Sequence, residues 1–176
     1  MKNLTYIFFT SLFLVFLSAN VYAFEVVSPA FNDGERIPKI HVCGNKGGKD
    51  ISIPVKFKNI PEKTVFLALI IDDPDAMSVA GKTWVHFIIN DIPIDQISLK
   101  PEKRGKYKFG KIGRNSNGGR SYQGMCPPNG KHVYRIAGFA LSEPIGKKLN
   151  ELTIERFEKK YKKIIIAKSL FTGWSK

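Results

Sequence analysis

Residues 67–90 read LALIIDDPDAMSVAGKTWVHFIIN. Within and beside this stretch, residues 64–71 and 84–89 form two apolar runs, and an acidic Asp-Pro-Asp corner at 73–75 lies between them. Both runs have the length and the β-branched and aromatic content of strands that are buried on two faces. We therefore predict two central strands of a sheet, joined through a polar corner.

Three further segments show the patterns of strands. Residues 51–57 alternate apolar and polar side chains, and Pro54 within them favours a strand at the edge of a sheet. Residues 132–141 (HVYRIAGFAL) form another apolar run, and residues 24–40 combine short apolar pieces with turn residues. Short strands at this spacing predict a mainly β fold, arranged as an antiparallel β-sandwich.

A long glycine-rich segment covers residues 105–130 and contains seven glycines. Structureless loops of this length are uncommon inside compact domains and are typically functional. We predict an ordered binding loop because the segment ends in a constrained Cys-Pro-Pro step, with partial disorder as the alternative.

A helix is predicted near the C-terminus, beginning at Thr153, which suits an N-cap. Phe157, Tyr161, Ile164 and Ile165 follow helical spacing and predict one apolar face packed on the sandwich. The lysines at 159, 160, 162 and 163 also suit a membrane-surface helix, which is the alternative and is not favoured.

The first 23 residues have the features of a secretory signal peptide. Lys2 precedes an apolar run over residues 7–17, and Val21 and Ala23 stand at the positions that signal peptidase reads. A retained anchor is the alternative, but the run is short for a bilayer span. We predict cleavage after Ala23 and a single exported domain over residues 24–176, periplasmic or secreted.

The formal net charge of +13 favours anionic partners, which include small ligands, lipid headgroups and nucleic acid. Export makes nucleic acid the least favoured of these. Cys43 and Cys126 are the two cysteines, and an even number in an oxidising compartment predicts one disulfide. Two free thiols are the alternative.

Several side chains suited to anion binding fall on the predicted strands. Trp84 and His86 share one face of their strand, as do His132 and Tyr134, because side chains alternate along a strand. Asp73 lies where a strand ends, a place where loops often carry function. If these strands are neighbours, the side chains converge in a cup that holds donors for an anion.

The motifs, taken together and in order, resemble the phosphatidylethanolamine-binding (Raf-kinase-inhibitor-like) family. DPDA at 73–76, WVHF at 84–87 and NDIP at 90–93 resemble its first signature. GMCPPNGKHVY at 124–134 resembles its second signature, and SPAF at 28–31 fits the exported bacterial branch. The resemblance covers nearly all of the predicted mature chain.

The resemblance implies one β-sandwich domain with a small pocket for phosphate-like groups, including phospholipid headgroups. It implies that the pocket wall consists of Asp73, Trp84, His86, Gly124, Pro128, His132 and Tyr134. It also supports the Cys43–Cys126 pairing and suggests a protein partner. In the family a proline often follows the DPDA motif, whereas this chain has Met77 there, which implies a less rigid rim of the pocket.

We predict a binding protein that is not an enzyme and that uses no cofactor and no metal. A hydrolase is one alternative, since Asp73, His86 and Cys126 are the residue types of a cysteine nucleophile with an oriented base. A metal-dependent enzyme is the other, with His86, His132 and Asp73 as a two-histidine-one-carboxylate set.

Overall fold

The computed structural model describes residues 23–176 and contains two sheets, of three and six strands. The strands in chain order are β1 (Glu25–Val27), β2 (Glu35–Arg36), β3 (Val55–Lys58), β4 (Phe66–Asp73), β5 (Trp84–Pro93), β6 (Ser98–Leu99), β7 (Lys111–Ile112), β8 (His132–Leu141) and β9 (Ile165–Ser175). The helices are α1 (Met77–Ala80) and α2 (Ile154–Tyr161), with short 3-10 turns at Lys39–His41, Gly44–Lys46 and Pro74–Ala76.

The strand order is β1-β3-β6 in the small sheet and β2-β9-β8-β4-β5-β7 in the large sheet. All pairs of neighbouring strands are antiparallel except β2 and β9, which are parallel. The predicted mainly antiparallel β fold is therefore confirmed, and the apolar runs of the sequence form β4, β5 and β8 at the centre of the large sheet.

The large sheet is buried on both faces. One face packs against the small sheet, where Phe57 and Val55 meet Leu69 and Ile136 in one apolar cluster. The other face is covered by α2 and the segments that flank it, and Phe157 of α2 packs on Phe139 with ring centroids 4.6 Å apart. Burial on two faces explains the continuous apolar runs in the sequence.

Pro54 does not mark an edge strand. β3 begins one residue after it, at Val55, and lies between β1 and β6 in the middle of the small sheet. The edge prediction was wrong because the missing N–H of the proline falls before the paired residues, where it removes no ladder hydrogen bond.

The predicted helix is confirmed as α2, and the Thr153 hydroxyl accepts a hydrogen bond from the Arg156 N–H at 3.4 Å. It is not the last element of the chain, however. Ile164 and Ile165 lie beyond α2, and Ile165 begins β9, where it pairs with Leu141 of β8. Pairing with β8 takes precedence over the helical spacing of these two isoleucines.

The glycine-rich segment is packed onto the large sheet and contains β7. Tyr122 and Met125 from this segment are fully buried in the core between the sheets. A Cβ at Gly113 would lie 2.5 Å from Ile88 Cγ2, so glycine permits the close approach of the loop to the sheet.

The predicted signal peptide falls, apart from Ala23, outside the described residues and stays a prediction. Within residues 23–176, no helix combines the length and the apolar character needed to cross a bilayer.

Candidate functional site

A cavity of about 270 Å³ lies at one end of the large sheet, where β4 ends and β5 and β8 begin. Strand register brings these ends together, because Asp73 pairs with Trp84 and the neighbouring Asp72 pairs with Arg135. The cavity is lined by residues from these strand ends, from α1 and from the end of the glycine-rich segment: Asp73, Ala76, Val79, Ala80, Trp84, His86, Gln123, Cys126, Pro127, Pro128 and His132.

Asp73 and His132 form a buried pair on the cavity wall. His132 Nδ1 lies 2.8 Å from Asp73 Oδ2, and Asp73 Oδ1 accepts a hydrogen bond from the Ala76 N–H at 3.1 Å. The carboxylate accepts, so Nδ1 of the imidazole carries the proton. Asp73 therefore fixes both the tautomer and the orientation of the ring, and Nε2 is the nitrogen left for a ligand.

His86 is fixed in the same way by a backbone carbonyl. Its Nδ1 lies 3.0 Å from the carbonyl oxygen of Gln123, which can only accept, so Nδ1 again carries the proton. Burial of the ring lowers its pKa from the ordinary value of 6.5. Burial thus favours the neutral form of the ring, and a bound anion would shift it toward the imidazolium.

Tyr134 lies behind the two histidines rather than on the cavity wall. Its ring meets His86 edge-on with centroids 5.2 Å apart and lies 6.5 Å from His132. The hydroxyl is buried without a hydrogen-bond partner among residues 23–176, and burial raises its pKa well above 10. An unpaired buried hydroxyl is costly, so this proton can be donated to a ligand or an ordered water that reaches behind the histidines.

Gln123 also lines the cavity, and it was not predicted from the sequence. Its side-chain Oε1 accepts a hydrogen bond from Trp84 Nε1 at 2.9 Å, while its carbonyl oxygen holds His86. One residue thus positions two of the predicted wall residues. A single glutamine in a glycine-rich loop has no periodicity that could reveal its role. Its position directly before the second motif is the one sequence feature that could have indicated it.

A disulfide closes the wall on the side of the second motif. Cys43 and Cys126 are bonded, which confirms the predicted pairing, and Cys126 lines the cavity together with Pro127 and Pro128. The bond joins this wall to the turn at Gly44–Lys46. A disulfide that closes a loop of 83 residues contributes about 4.5 kcal/mol on the chain-entropy model.

Gly124 shapes the wall from outside the cavity. Its N–H donates to Asp50 Oδ1 at 2.9 Å, and an added Cβ would lie 2.5 Å from the Cys43 backbone nitrogen. Of the predicted wall residues, five line the cavity, whereas Gly124 and Tyr134 stand one layer behind it.

The residues named in the two enzymatic alternatives all line this cavity. Cys126 is in a disulfide and has no thiol, so it cannot act as the nucleophile of a hydrolase. Both oxygens of Asp73 accept protein hydrogen bonds, and no group of three or more His, Cys, Asp or Glu within residues 23–176 is arranged to hold a metal ion.

Known proteins resemble this chain in sequence and in fold. A family model described as phosphatidylethanolamine-binding protein (PEBP) matches residues 27–175. This chain belongs to the PEBP family. The resemblance seen in the motifs is thereby confirmed, and the PEBP match extends over almost all of the described residues.

Relatives with known sequences or structures support the same assignment. The chain is 40% identical over 115 residues to a UPF0098 protein of Methanothermobacter thermautotrophicus, covering 64% of this chain and 72% of the relative. It is 37% identical over 137 residues to a UPF0098 protein of Aquifex aeolicus, covering 71% and 72%.

Two solved structures share the fold. A PEBP homolog from Chlamydia trachomatis superposes with a TM-score of 0.76 at 30% identity and covers 88% of this chain and 97% of its own. Escherichia coli YbcL, described as a member of the mammalian PEBP family, superposes with a TM-score of 0.76 at 24% identity, covering 88% and 99%. At that identity the second comparison shows the fold alone.

Proposed function

We propose that this PEBP-family protein is an exported binding protein, not an enzyme, whose cavity holds a small phosphate-like anion. The anion is a free phosphate-bearing molecule or the headgroup of a phospholipid. The observation that carries this proposal is the pair of buried imidazoles, His86 and His132, each with Nδ1 bound to a protein acceptor and Nε2 left for a ligand.

The chemistry of the cavity suits an anion. A protonated imidazole donates from both nitrogens, and a negative charge nearby favours the protonated form. The Tyr134 hydroxyl is a further donor with no partner among residues 23–176. A cavity of about 270 Å³ falls just below the usual range for drug-sized ligands, so one headgroup fits better than a whole lipid.

Two observations support export and one supports a protein partner. The signal-like sequence over residues 1–23 and the Cys43–Cys126 disulfide both agree with an oxidising compartment. Val79 lines the cavity and is 44% exposed, and Met77 at the start of α1 is 56% exposed. Apolar side chains exposed beside a cavity suit contact with a protein whose activity depends on the bound ligand.

Titration of inorganic phosphate and phosphoethanolamine, followed through the imidazole resonances by NMR, tests the proposal. The chain has three histidines, and His41 provides an internal control because its Nδ1 is held by the Ile51 carbonyl, away from the cavity. We expect His86 and His132 to shift and to saturate at millimolar ligand, whereas His41, which does not line the cavity, shows at most a small shift that does not saturate. The absence of a shift at His86 and His132 would rule out the anion pocket.

Two simpler measurements test the other parts of the proposal. Phosphorus NMR of phosphoethanolamine incubated with the protein is expected to show no new phosphate signal, and release of phosphate would contradict a purely binding role. The mass of the protein recovered from outside the cytoplasm is expected to correspond to a chain that begins at Phe24. An unprocessed mass would contradict export by signal-peptide cleavage.

A further inference from the structure

A cationic surface lies beside the cavity wall, and we call it the basic face. It consists of six exposed residues from two neighbouring segments: Lys39, Lys46, Lys49, Lys103, Arg104 and Lys106. The segments are joined by a bridge between Ile51 and Lys103 and by a hydrogen bond from the Arg104 N–H to the Asp50 carbonyl at 2.8 Å. The two segments therefore lie side by side, and the basic face extends across both of them.

The charges of the basic face are not neutralised by the protein. None of its six members forms an ion pair within the part of the chain that the structure describes. The nearby Asp50 carboxylate is occupied by the N–H groups of Gly44 and Gly124 at 3.2 and 2.9 Å, and Glu102 is the other acid on these segments. The patch thus carries a large excess of positive charge.

The lysines of α2 form a different kind of surface. Lys159 and Lys162 share their side of the helix with Glu155 and Glu158, so positive and negative charges are mixed there. The apolar face of α2 is also already used, because Phe157 is fully buried against the large sheet. The helix therefore has no apolar side left for a membrane.

An exposed apolar side chain lies within the basic face. Ile40 is 44% exposed, and its carbonyl oxygen accepts hydrogen bonds from the N–H groups of Lys49 and Ile51, both at 3.3 Å. Cations that surround an exposed apolar side chain are typical of surfaces that bind the interface of an anionic bilayer. Nucleic acid would use the lysines but would gain nothing from Ile40.

We propose that the basic face docks the protein onto a bilayer that carries anionic lipids. The cations lie against the headgroups and Ile40 enters the interfacial layer. This surface is distinct from the anion cavity. Asp50 connects the two, because its side chain accepts from the Gly124 N–H behind the cavity wall and its carbonyl oxygen accepts from the Arg104 N–H of the basic face. Each cation near an anionic membrane strengthens binding by about fivefold at physiological salt, and the gain is lost as salt screens it.

Vesicle co-sedimentation with a charge-matched control tests this proposal. The test variant changes Lys46, Lys49, Lys103 and Lys106 to Gln, and the control changes the lysines of the α2 region, Lys159, Lys160, Lys162 and Lys163, to Gln. All eight side chains are exposed, and both variants lose four positive charges. The vesicles are phosphatidylcholine with and without phosphatidylglycerol, over a range of NaCl concentrations.

We expect the purified protein to bind the vesicles that contain phosphatidylglycerol and to be released by salt. The test variant is expected to bind at least about tenfold more weakly, and the control within about twofold of the unchanged protein. Ile40→Ser is expected to weaken binding at low salt, whereas Val65→Ser, on a side chain that is 48% exposed and directly precedes β4, leaves it unchanged.

Three results would overturn the proposal: no dependence on phosphatidylglycerol, an equal loss in the two quadruple variants, or loss of binding to a DNA duplex without loss on vesicles. The phosphate response of His86 and His132 provides a separate readout of the cavity. It is expected to persist in the basic-face variant, so failure of the docking surface and failure of the anion pocket are distinguishable.

Discussion

Asp72 and Asp73 are consecutive residues at the end of β4, both buried, and they serve different purposes. Asp72 faces α2, where its oxygens accept from Arg135 Nε at 2.8 Å, from Arg135 Nη2 at 3.0 Å and from the Ile154 N–H at 3.0 Å. Asp73 faces the cavity, where it holds the ring of His132. Alternation along the strand sends the two carboxylates to opposite faces of the sheet.

The comparison shows that a buried carboxylate does not by itself mark a binding site. Asp72 has a partner that stays charged at every relevant pH, and its hydrogen bonds are made within the protein. Asp73 has a histidine as its partner and adjoins an open volume, so its hydrogen bond orients a ring that a ligand can reach. Asp72 therefore holds the start of α2 against the sheet, whereas Asp73 orients the ring of His132 toward the cavity.

The largest expected effect is the loss of stability in Asp72→Asn. This change leaves Arg135 paired only with the exposed Glu155. We expect a cost of about 3 kcal/mol in unfolding free energy, at the low end for buried pairs because the Arg135 side chain is 21% exposed and keeps that partner. Urea denaturation measures it. Sulfate serves as a phosphate-like anion, and its affinity is expected to stay within about twofold of that of the unchanged protein. A loss comparable to that of Asp73→Asn would show that both carboxylates serve the binding site.

Asp73→Asn is expected to cost less stability and more affinity. The amide can still accept one hydrogen bond, so unfolding free energy falls by about 1–2 kcal/mol, measured in the same urea series. The ring of His132 loses its fixed orientation, and we expect sulfate binding, followed by calorimetry, to weaken at least about fivefold. Unchanged affinity would show that Asp73 is as purely structural as Asp72.

Tyr134→Phe separates ligand binding from folding. The hydroxyl is buried and has no partner within residues 23–176, so its removal is expected to leave the free energy of unfolding unchanged or to raise it by about 1 kcal/mol. If the hydroxyl donates to the anion, sulfate affinity falls about fivefold. A clear loss of stability with no loss of affinity would assign the hydroxyl to the fold instead.

The pH dependence of sulfate binding is the smallest expected effect. Sulfate keeps its charge between pH 7.5 and 5.5, so any change in affinity comes from the protein. The pKa of His86 in the empty cavity is lowered by burial, and an anion raises it, so binding takes up a proton and affinity rises as pH falls. We expect about a threefold gain across this range, abolished in His86→Gln. A flat profile in the unchanged protein would exclude His86 as the responsive group.

Strand alternation and motif order predicted a large part of the site. Asp73, Trp84, His86 and His132 all reach the cavity, because two-residue periodicity fixes which face a side chain takes once the strand is known. Tyr134 shares the face of His132 but lies deeper, since one strand step moves a side chain away from the end of the sheet.

The parts that were missed depend on tertiary pairing. β9 has no sequence pattern strong enough to outweigh the helical spacing that runs into Ile164 and Ile165, and only its register with β8 defines it as a strand. Gln123 acts through one side-chain oxygen and one backbone oxygen, and neither leaves a pattern in the sequence. Asp72 is recognisable as structural only when Arg135 is seen opposite it.

The position of β9 has a consequence for the order of events in folding. β9 pairs in parallel with β2 and lies along β8, and the Ser169 hydroxyl accepts from the Val26 N–H at 3.0 Å, so contacts join residues far apart in the chain. Sheets closed by such distant pairings fold in milliseconds to seconds, more slowly than helical bundles. His132 and the strand that carries it, β8, are therefore held on one side by residues 165–175, the last strand of the chain. Under the export proposed above, a chain that crosses the membrane before this pairing is complete travels unfolded, and the Cys43–Cys126 bond forms afterwards.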